Sequence, residues 1–224
     1  IQTKEELRNI LPGQFFFLSF KSNVSLSDEL HPFSITSVQP ESRMGFAIKT
    51  LGDFTSKVDQ VKTGDKVEIF GPHGKFGERY LNEKKKMIWI AGGIGITPFL
   101  SMLQNEISSA RSESAVETRI SQINFFWSVK DDKEAVFHDQ IQTQTANLPH
   151  LSYQKYISGE INFLTADRVL NLASESKLGI KLEELPEYKL YLCGPPAMMF
   201  ALANQFIALG MPDRNIIFEE FSFN

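Results

Sequence analysis

The chain has 224 residues, 42% of them hydrophobic and 22% charged, the composition of a folded globular protein and not of a disordered or fibrous one. Its 23 basic and 27 acidic residues are interspersed and leave a formal net charge of −4, which excludes the basic stripe of a nucleic-acid surface. A single cysteine, Cys193, excludes an internal disulfide and a cysteine-built zinc or iron–sulfur centre and makes a reducing, cytoplasmic compartment the default; no apolar run reaches the roughly 18 residues that a membrane-crossing helix needs.

In chain order, the first apolar stretches are short and are separated by Gly, Pro, Asn and Asp turns. Strands are predicted at 15–20, 33–38, 45–51 and 66–70, with one helical turn at 55–61. A small antiparallel β-barrel over residues 1–83 is the natural product of that pattern. The basic patch Lys84-Lys85-Lys86 marks a domain boundary, beyond which the periodicity changes character. Over residues 84–224 strands alternate with helices: strand 87–91, helix 98–110, strand 123–128, helix 134–145, strand 151–157, helix 165–173, strand 189–193, helix 196–209 and strand 215–221. Such alternation predicts an α/β domain with a parallel sheet, right-handed crossovers and helices on both faces. Ligands bind such sheets beyond the carboxyl ends of the strands.

The segment with the most chemistry follows the first of these strands: Ala91-Gly92-Gly93-Ile94-Gly95-Ile96-Thr97-Pro98. Gly92, Gly93 and Gly95 stand where missing side chains let main-chain amides approach a pyrophosphate, at the positive end of a helix dipole. Thr97 adds a hydroxyl, and Pro98 suits a first helical turn because its missing N–H would have had no partner there. A tight strand-to-helix turn without a ligand is the competing reading. The order strand, glycine turn, helix favours a dinucleotide.

The form Gly-Gly-x-Gly-x-Thr-Pro, with Pro98 in the place of a third glycine, resembles the nicotinamide-binding lobe of the ferredoxin–NADP reductase superfamily. Further segments carry the resemblance in the expected order. Pro12-Gly13-Gln14-Phe15 resembles the entry to a barrel strand, and His31-Pro32-Phe33-Ser34 resembles the flavin-binding motif in the version of NADPH-oxidase and ferric-reductase relatives. Lys49-Thr50-Leu51-Gly52-Asp53-Phe54-Thr55 resembles the strand and turn that hold the flavin diphosphate. Gly71-Pro72-His73-Gly74-Lys75-Phe76-Gly77 resembles the segment that closes the barrel, with His73 in the place of the commoner tyrosine. Leu192-Cys193-Gly194-Pro195-Pro196 resembles the Cys-Gly-Pro strand end beside the nicotinamide, and Phe218-Glu219-Glu220-Phe221 the carboxyl-terminal Glu-x-Phe of the oxidase group.

The resemblance implies an FAD-binding barrel, with its amino-terminal strands missing, followed by an NAD(P)-binding domain. It implies FAD held by His31, Pro32, Phe33, Ser34, Ile48, Lys49, Thr50, Gly52, Phe54 and Thr55. Phe33 would supply an aromatic face and Ser34 a donor to flavin N5, although neighbouring strand residues point to opposite sides unless the strand twists. A Pro-Phe pair in a plain edge strand, and Thr55 as a simple helix N-cap, are the structural alternatives. The dinucleotide would lie against Gly92, Gly93, Gly95, Thr97, Pro98, Cys193, Gly194 and Pro195. Cys193 would shape the hydride pocket without acting as a nucleophile, a buried structural cysteine being the ordinary alternative. Phe221 would cover the flavin, with Phe223 its competitor, and Glu219 would act on protons or the nicotinamide amide, against the alternative of a solvated carboxylate.

After the second strand, Ser128 and Lys130 suit the 2′-phosphate of NADPH while Asp131 and Asp132 oppose it, so the expectation is NADPH with NADH also accepted. No metal ligand set is expected. The chain opens on isoleucine with only 11 residues ahead of Pro12, so it is expected to be a soluble piece of a longer protein. The resemblance implies heme in a membrane region of that protein, with this piece at the cytoplasmic face, delivering electrons to heme, ferric iron or oxygen. A soluble subunit feeding an iron–sulfur partner, and a non-catalytic module that keeps the fold, are the other function classes.

Overall fold

The computed structural model describes residues 1–3, 9–21, 26, 29–39, 42–111 and 120–219. It divides into two compact units, Ile1–Arg79 with Thr97–Gln104, and Tyr80–Ile96 with Asn105–Asn224.

The first unit is a four-stranded antiparallel sheet of β1 (Phe15–Phe20), β2 (His31–Gln39), β3 (Arg43–Phe46) and β4 (Val67–His73), ordered β3-β2-β1-β4. Alternation in β1 sends Phe16, Leu18 and Phe20 into a core with Leu26, Ile35 and Met44. Directly opposite residues share a face, so the pairs Phe16↔Phe33 and Leu18↔His31 put His31 and Phe33 on this core side. The pairs Phe15↔Ser34 and Phe17↔Pro32 put Ser34 and Pro32 on the other side. Strand β2 changes partner along its length, pairing with β1 through His31–Ser34 and with β3 from Ile35 onward, as strands do at the corner of a barrel.

Strand β3 stops at Phe46, short of the expected 45–51, because its ladder ends at Ile35↔Phe46, where β2 has turned to β1. Residues 55–61 form the expected turn as a 3-10 helix, Thr55–Gln60. A short helix α1 (Phe76–Leu81) was not legible in the sequence, since six residues are too few to display a period. It is anchored by Gly77, where a β-carbon would come within 1.4 Å of the Pro12 carbonyl oxygen. The Gly13 amide donates to Ser101 Oγ at 2.7 Å, and Phe76 meets Phe99 edge to face.

The second unit is a parallel sheet of β5 (Lys86–Gly92), β6 (Ile123–Val129), β7 (Leu151–Ile157), β8 (Tyr188–Cys193) and β9 (Ile216–Glu219), ordered β7-β6-β5-β8-β9. The helices that follow these strands in the chain are α2 (Thr97–Arg111), of which Thr97–Gln104 group with the first unit, α3 (His138–Thr145), α4 (Ala166–Ser174) and α5 (Pro196–Ala208). Every residue of β6 is buried, as a strand covered on both faces requires. One face carries Ile88, Ile90, Leu190 and Leu192 in a core with Val169, Leu202 and Phe206; on the aromatic side Trp89 meets Tyr80 and Phe125 edge to face. The expected helix 134–145 is broken into a 3-10 turn, Asp132–Glu134, and α3, because Asp131 caps the turn on the Lys133 and Glu134 amides and Ala135 leaves helical geometry. The expected strand 215–221 is β9 as far as Glu219, and residues 220–221 lie outside the described residues.

Strand order reverses between β5 and β8, which directs a ligand to the carboxyl ends of these two strands. Among the described residues no helix is long and apolar enough to cross a membrane, and no group of three His, Cys, Asp or Glu is placed to hold a metal ion.

Candidate functional site

In the second unit, β5 and β8 run side by side, with Ala91 opposite Cys193, and end in two glycine turns. A β-carbon on Gly95 would lie 2.3 Å from the Cys193 carbonyl oxygen, and one on Gly194 would lie 2.9 Å from Gly92 Cα. One on Gly92 would strike Met198 and Pro195 at 2.6–2.8 Å. At Gly95 and Gly194 main chain therefore packs on main chain and only glycine fits, while at Gly92 the obstacle is the side chains of Met198 and Pro195.

Gly93 differs from the others. Its φ of 52° is left-handed and nothing lies within 4 Å of its missing side chain, so its surface is open. Between β5 and α2 the chain makes a 3-10 turn, Gly93–Ile96, after which Thr97 and Pro98 open α2. Trp127 donates its indole N–H to the Gly93 carbonyl at 2.8 Å and so pins the turn from β6. Neither Trp127 nor Met198 was expected at the site. The available signal was that a buried indole N–H needs an acceptor.

Cys193 is fully buried. Burial, and then the charge of Glu219, push its thiol well above the ordinary thiol range, so it is a neutral thiol and not a nucleophile. Glu219 sits directly across from it on β9 and is itself buried, which rules out the solvated carboxylate. Phe221 and Phe223 lie outside the described residues.

Ser128 is buried at the end of β6, opposite Gly92. Lys130 is exposed, and its ammonium is paired with Glu160. That hydrogen-bonded carboxylate, with Glu134 and Asp131 behind it, raises the lysine above its ordinary range.

In the first unit, His31 stacks on Phe54 with ring centroids 3.7 Å apart and an interplanar angle of 27°. Its Nε2 is buried without a hydrogen bond, with Glu29 Oε2 at 3.4 Å, in reach of an ion pair when the ring is protonated. Ser34 Oγ is also buried without a hydrogen-bond partner. It lies on the side of the sheet where Phe15 and Phe17 each meet the ring of His73. Phe33 packs on the core side with Ile48 and Phe54. The structure thus brings His31, Phe33, Ile48 and Phe54 to one face, and Ser34 and Pro32 to the other.

Lys49 and Thr50 follow β3 outside any strand. Thr55 Oγ1 accepts the amides of Leu51 at 2.8 Å and Gly52 at 3.1 Å, closing the turn backward; the N-cap of the 3-10 helix is Phe54, and it makes no side-chain bond. Ser34 Oγ, buried without a hydrogen-bond partner on the side of Phe15 and Phe17, fits a hydrogen-bonding cofactor, because a buried donor or acceptor left unpaired otherwise costs about 1–3 kcal/mol; His31 Nε2 lies on the opposite, core side with Glu29 beside it.

An antiparallel sheet unit and a parallel αβ unit with a glycine-lined switch point define the class of two-domain flavin and nicotinamide reductases. The sequence matches the FAD-binding domain family over residues 2–122 and the oxidoreductase NAD-binding domain family over residues 89–204, and the chain belongs to the ferredoxin–NADP reductase superfamily. It is 29% identical over 216 residues to the toluate 1,2-dioxygenase electron transfer component of Pseudomonas putida, covering 95% of this chain and 59% of that protein. It is 27% identical over 213 residues to a flavohemoprotein of the same species, covering 94% of this chain and 50% of the other. The chain thus spans about half the length of these relatives. The cytochrome b5 reductase domain of Ulva prolifera nitrate reductase shares the fold at a TM-score of 0.71 and 19% identity, over 96% of this chain and 87% of that one.

Proposed function

We propose that the chain is the reductase part of a flavin enzyme that takes hydride from NAD(P)H onto FAD and delivers electrons singly to a separate acceptor. The observation that carries this is the open, left-handed Gly93 in the turn between β5 and α2 at the β5/β8 switch point, where nothing lies within 4 Å of its missing side chain and main chain is accessible to a pyrophosphate.

In this reading Gly93 offers the open turn and Thr97 and Pro98 the helix start, while Trp127 holds the turn in place. Cys193, a neutral thiol, and Gly194 and Pro195 bound the nicotinamide end and exclude water. Glu219 positions the Cys193 wall from across the strand pair. Phe221 or Phe223 would cover the flavin. Ser34 Oγ donates to the flavin from one face of β2, with Pro32 beside it; His31, stacked on Phe54, with Phe33 and Ile48, supports the strand from its core side, and Lys49, Thr50, Gly52 and Thr55 hold the remainder. FAD, when bound, accepts a hydride as a pair of electrons and can release them one at a time. The boundary between the FAD-binding and NAD(P)-binding parts belongs at the lysine patch after residue 83.

For the acceptor, the His31-Pro32-Phe33 motif favours a membrane heme or ferric-iron system of the oxidase and ferric-reductase type, with this part at the cytoplasmic face. The similarity to a dioxygenase electron transfer component favours an iron–sulfur partner instead. Reduction rates of cytochrome c, a ferric chelate and a [2Fe–2S] ferredoxin by the FAD-loaded chain separate the two. Preference for the ferric chelate supports the first, and preference for the ferredoxin overturns it in favour of the second. Ser34→Ala should lower the rate of flavin reduction more than it weakens FAD binding; an effect on binding alone contradicts the role given to Ser34.

A further inference from the structure

We propose that Glu160, through its ion pair with Lys130, sets this site to prefer NADH over NADPH. The inference rests on the reading of the β5/β8 cleft as a dinucleotide site. In such sheets the ribose 2′ position falls after the second strand, where a cation accepts a 2′-phosphate and a carboxylate accepts a free ribose hydroxyl. Here that place is the end of β6.

Lys130, the cation expected there, is already engaged. Its ammonium is bound to Glu160, and its amide donates to Glu134 Oε2 at 3.2 Å. Glu160 is brought to it by the chain after β7. The Ser158 amide and hydroxyl both donate to the Val129 carbonyl, at 2.8 and 3.1 Å, and the Gly159 amide donates to the Lys130 carbonyl at 3.1 Å.

The surrounding charges point the same way. Lys155 is neutralised by Asp132 at 2.5 Å. Asp131 is turned onto the Lys133 and Glu134 amides, at 2.9 and 3.2 Å. Carboxylates 131, 132, 134 and 160 outnumber lysines 130, 133 and 155, so a 2′-phosphate of about −1.5 to −2 charge meets a surplus of its own sign. A ribose diol meets acceptors.

Lys130 and Glu160 are both exposed, with side chains 55% and 75% accessible, so the pair contributes little to folding. Its effect is on local charge. That charge is screened by salt, so the discrimination should narrow as ionic strength rises.

The test is calorimetric binding of 5′-ADP and adenosine 2′,5′-bisphosphate to the whole chain and to its Glu160→Gln and Glu160→Lys variants, with thermal midpoints as a control. The wild-type chain should bind 5′-ADP more tightly. E160Q should improve the bisphosphate by about fivefold with little change for 5′-ADP, and E160K should reverse the order. Tighter wild-type binding of the bisphosphate, or equal effects of E160Q on both ligands, overturns the role of Glu160. Failure of the wild-type chain and both variants to bind either nucleotide overturns the dinucleotide reading itself, and this inference with it.

Discussion

Trp127 on β6 donates its indole N–H across 2.8 Å to the carbonyl of Gly93, the open left-handed residue of the turn after β5. Three strands of the sheet therefore meet at one turn: β5 supplies it, β6 pins it, and β8 packs against it through Gly194.

Trp127→Phe keeps an aromatic ring in the core but leaves the Gly93 carbonyl without this donor. Loss of one hydrogen bond of about 0.5–1.5 kcal/mol should weaken nucleotide binding roughly two- to tenfold. Calorimetry with NAD+ measures it. An unchanged affinity means that the turn is held without Trp127.

The glycines should separate by mechanism. Gly93→Ala meets no neighbour and should cost about 1–2 kcal/mol, from its left-handed backbone alone. Gly95→Ala drives a methyl into the Cys193 carbonyl and should cost more than Gly93→Ala, about 3 kcal/mol or more, because the strand ends must part. Urea denaturation of the two variants checks the order; equal costs contradict the main-chain packing described above.

Much of this was legible in the sequence because it rests on spacing. The αβ alternation located all five parallel strands, and the glycines lie where the strand-to-helix order places them. What was hidden depends on contacts distant in sequence. Strand alternation already separates Phe33 from Ser34, but the change of partner in β2, from β1 through Ser34 to β3 from Ile35, is reported by no local pattern. Glu160 reaches Lys130 only through hydrogen bonds from the chain after β7 to the end of β6. One local feature was hidden too: Thr55 closes its turn backward onto Leu51 and Gly52, where a simple N-cap would bond forward, and the residue type alone does not tell the two apart.

Away from the cleft, Glu106 on α2 joins Tyr80 and His150 in a buried network: it accepts the Tyr80 hydroxyl and lies 2.9 Å from His150 Nε2. Replacing Glu106 by Leu removes the acceptor of the Tyr80 hydroxyl proton, leaving its bond from Asn105 in place, and removes the partner of His150 Nε2, and should destabilise the fold by about 1–3 kcal/mol. A double-mutant cycle with Tyr80→Phe should show a coupling of about 0.5–3 kcal/mol. Additivity of the two changes contradicts the network, and nucleotide affinity should not move with either.

Cys193 gives a pH dependence of known sign. Its thiol is held well above the ordinary value of 9.0 in the folded chain, chiefly by burial. Below pH 9.0 both folded and unfolded thiols keep the proton, and the stability is full. Above it the unfolded chain releases the proton while the folded chain retains it, so stability falls as pH rises toward the folded value. Chemical denaturation from pH 8 to 10 should show a downward slope that is shallower in Cys193→Ala, and a native thiol that reacts slowly with alkylating reagents. Identical slopes, or rapid alkylation, contradict the buried neutral thiol.

The most direct test of the flavin reductase assignment is anaerobic visible spectroscopy of the purified chain with FAD, before and after NADH is added. Bound flavin whose visible absorption bleaches on addition of one equivalent of NADH is the predicted result. Failure to bind FAD, or bound flavin that stays oxidised with excess NADH and with excess NADPH, would contradict it.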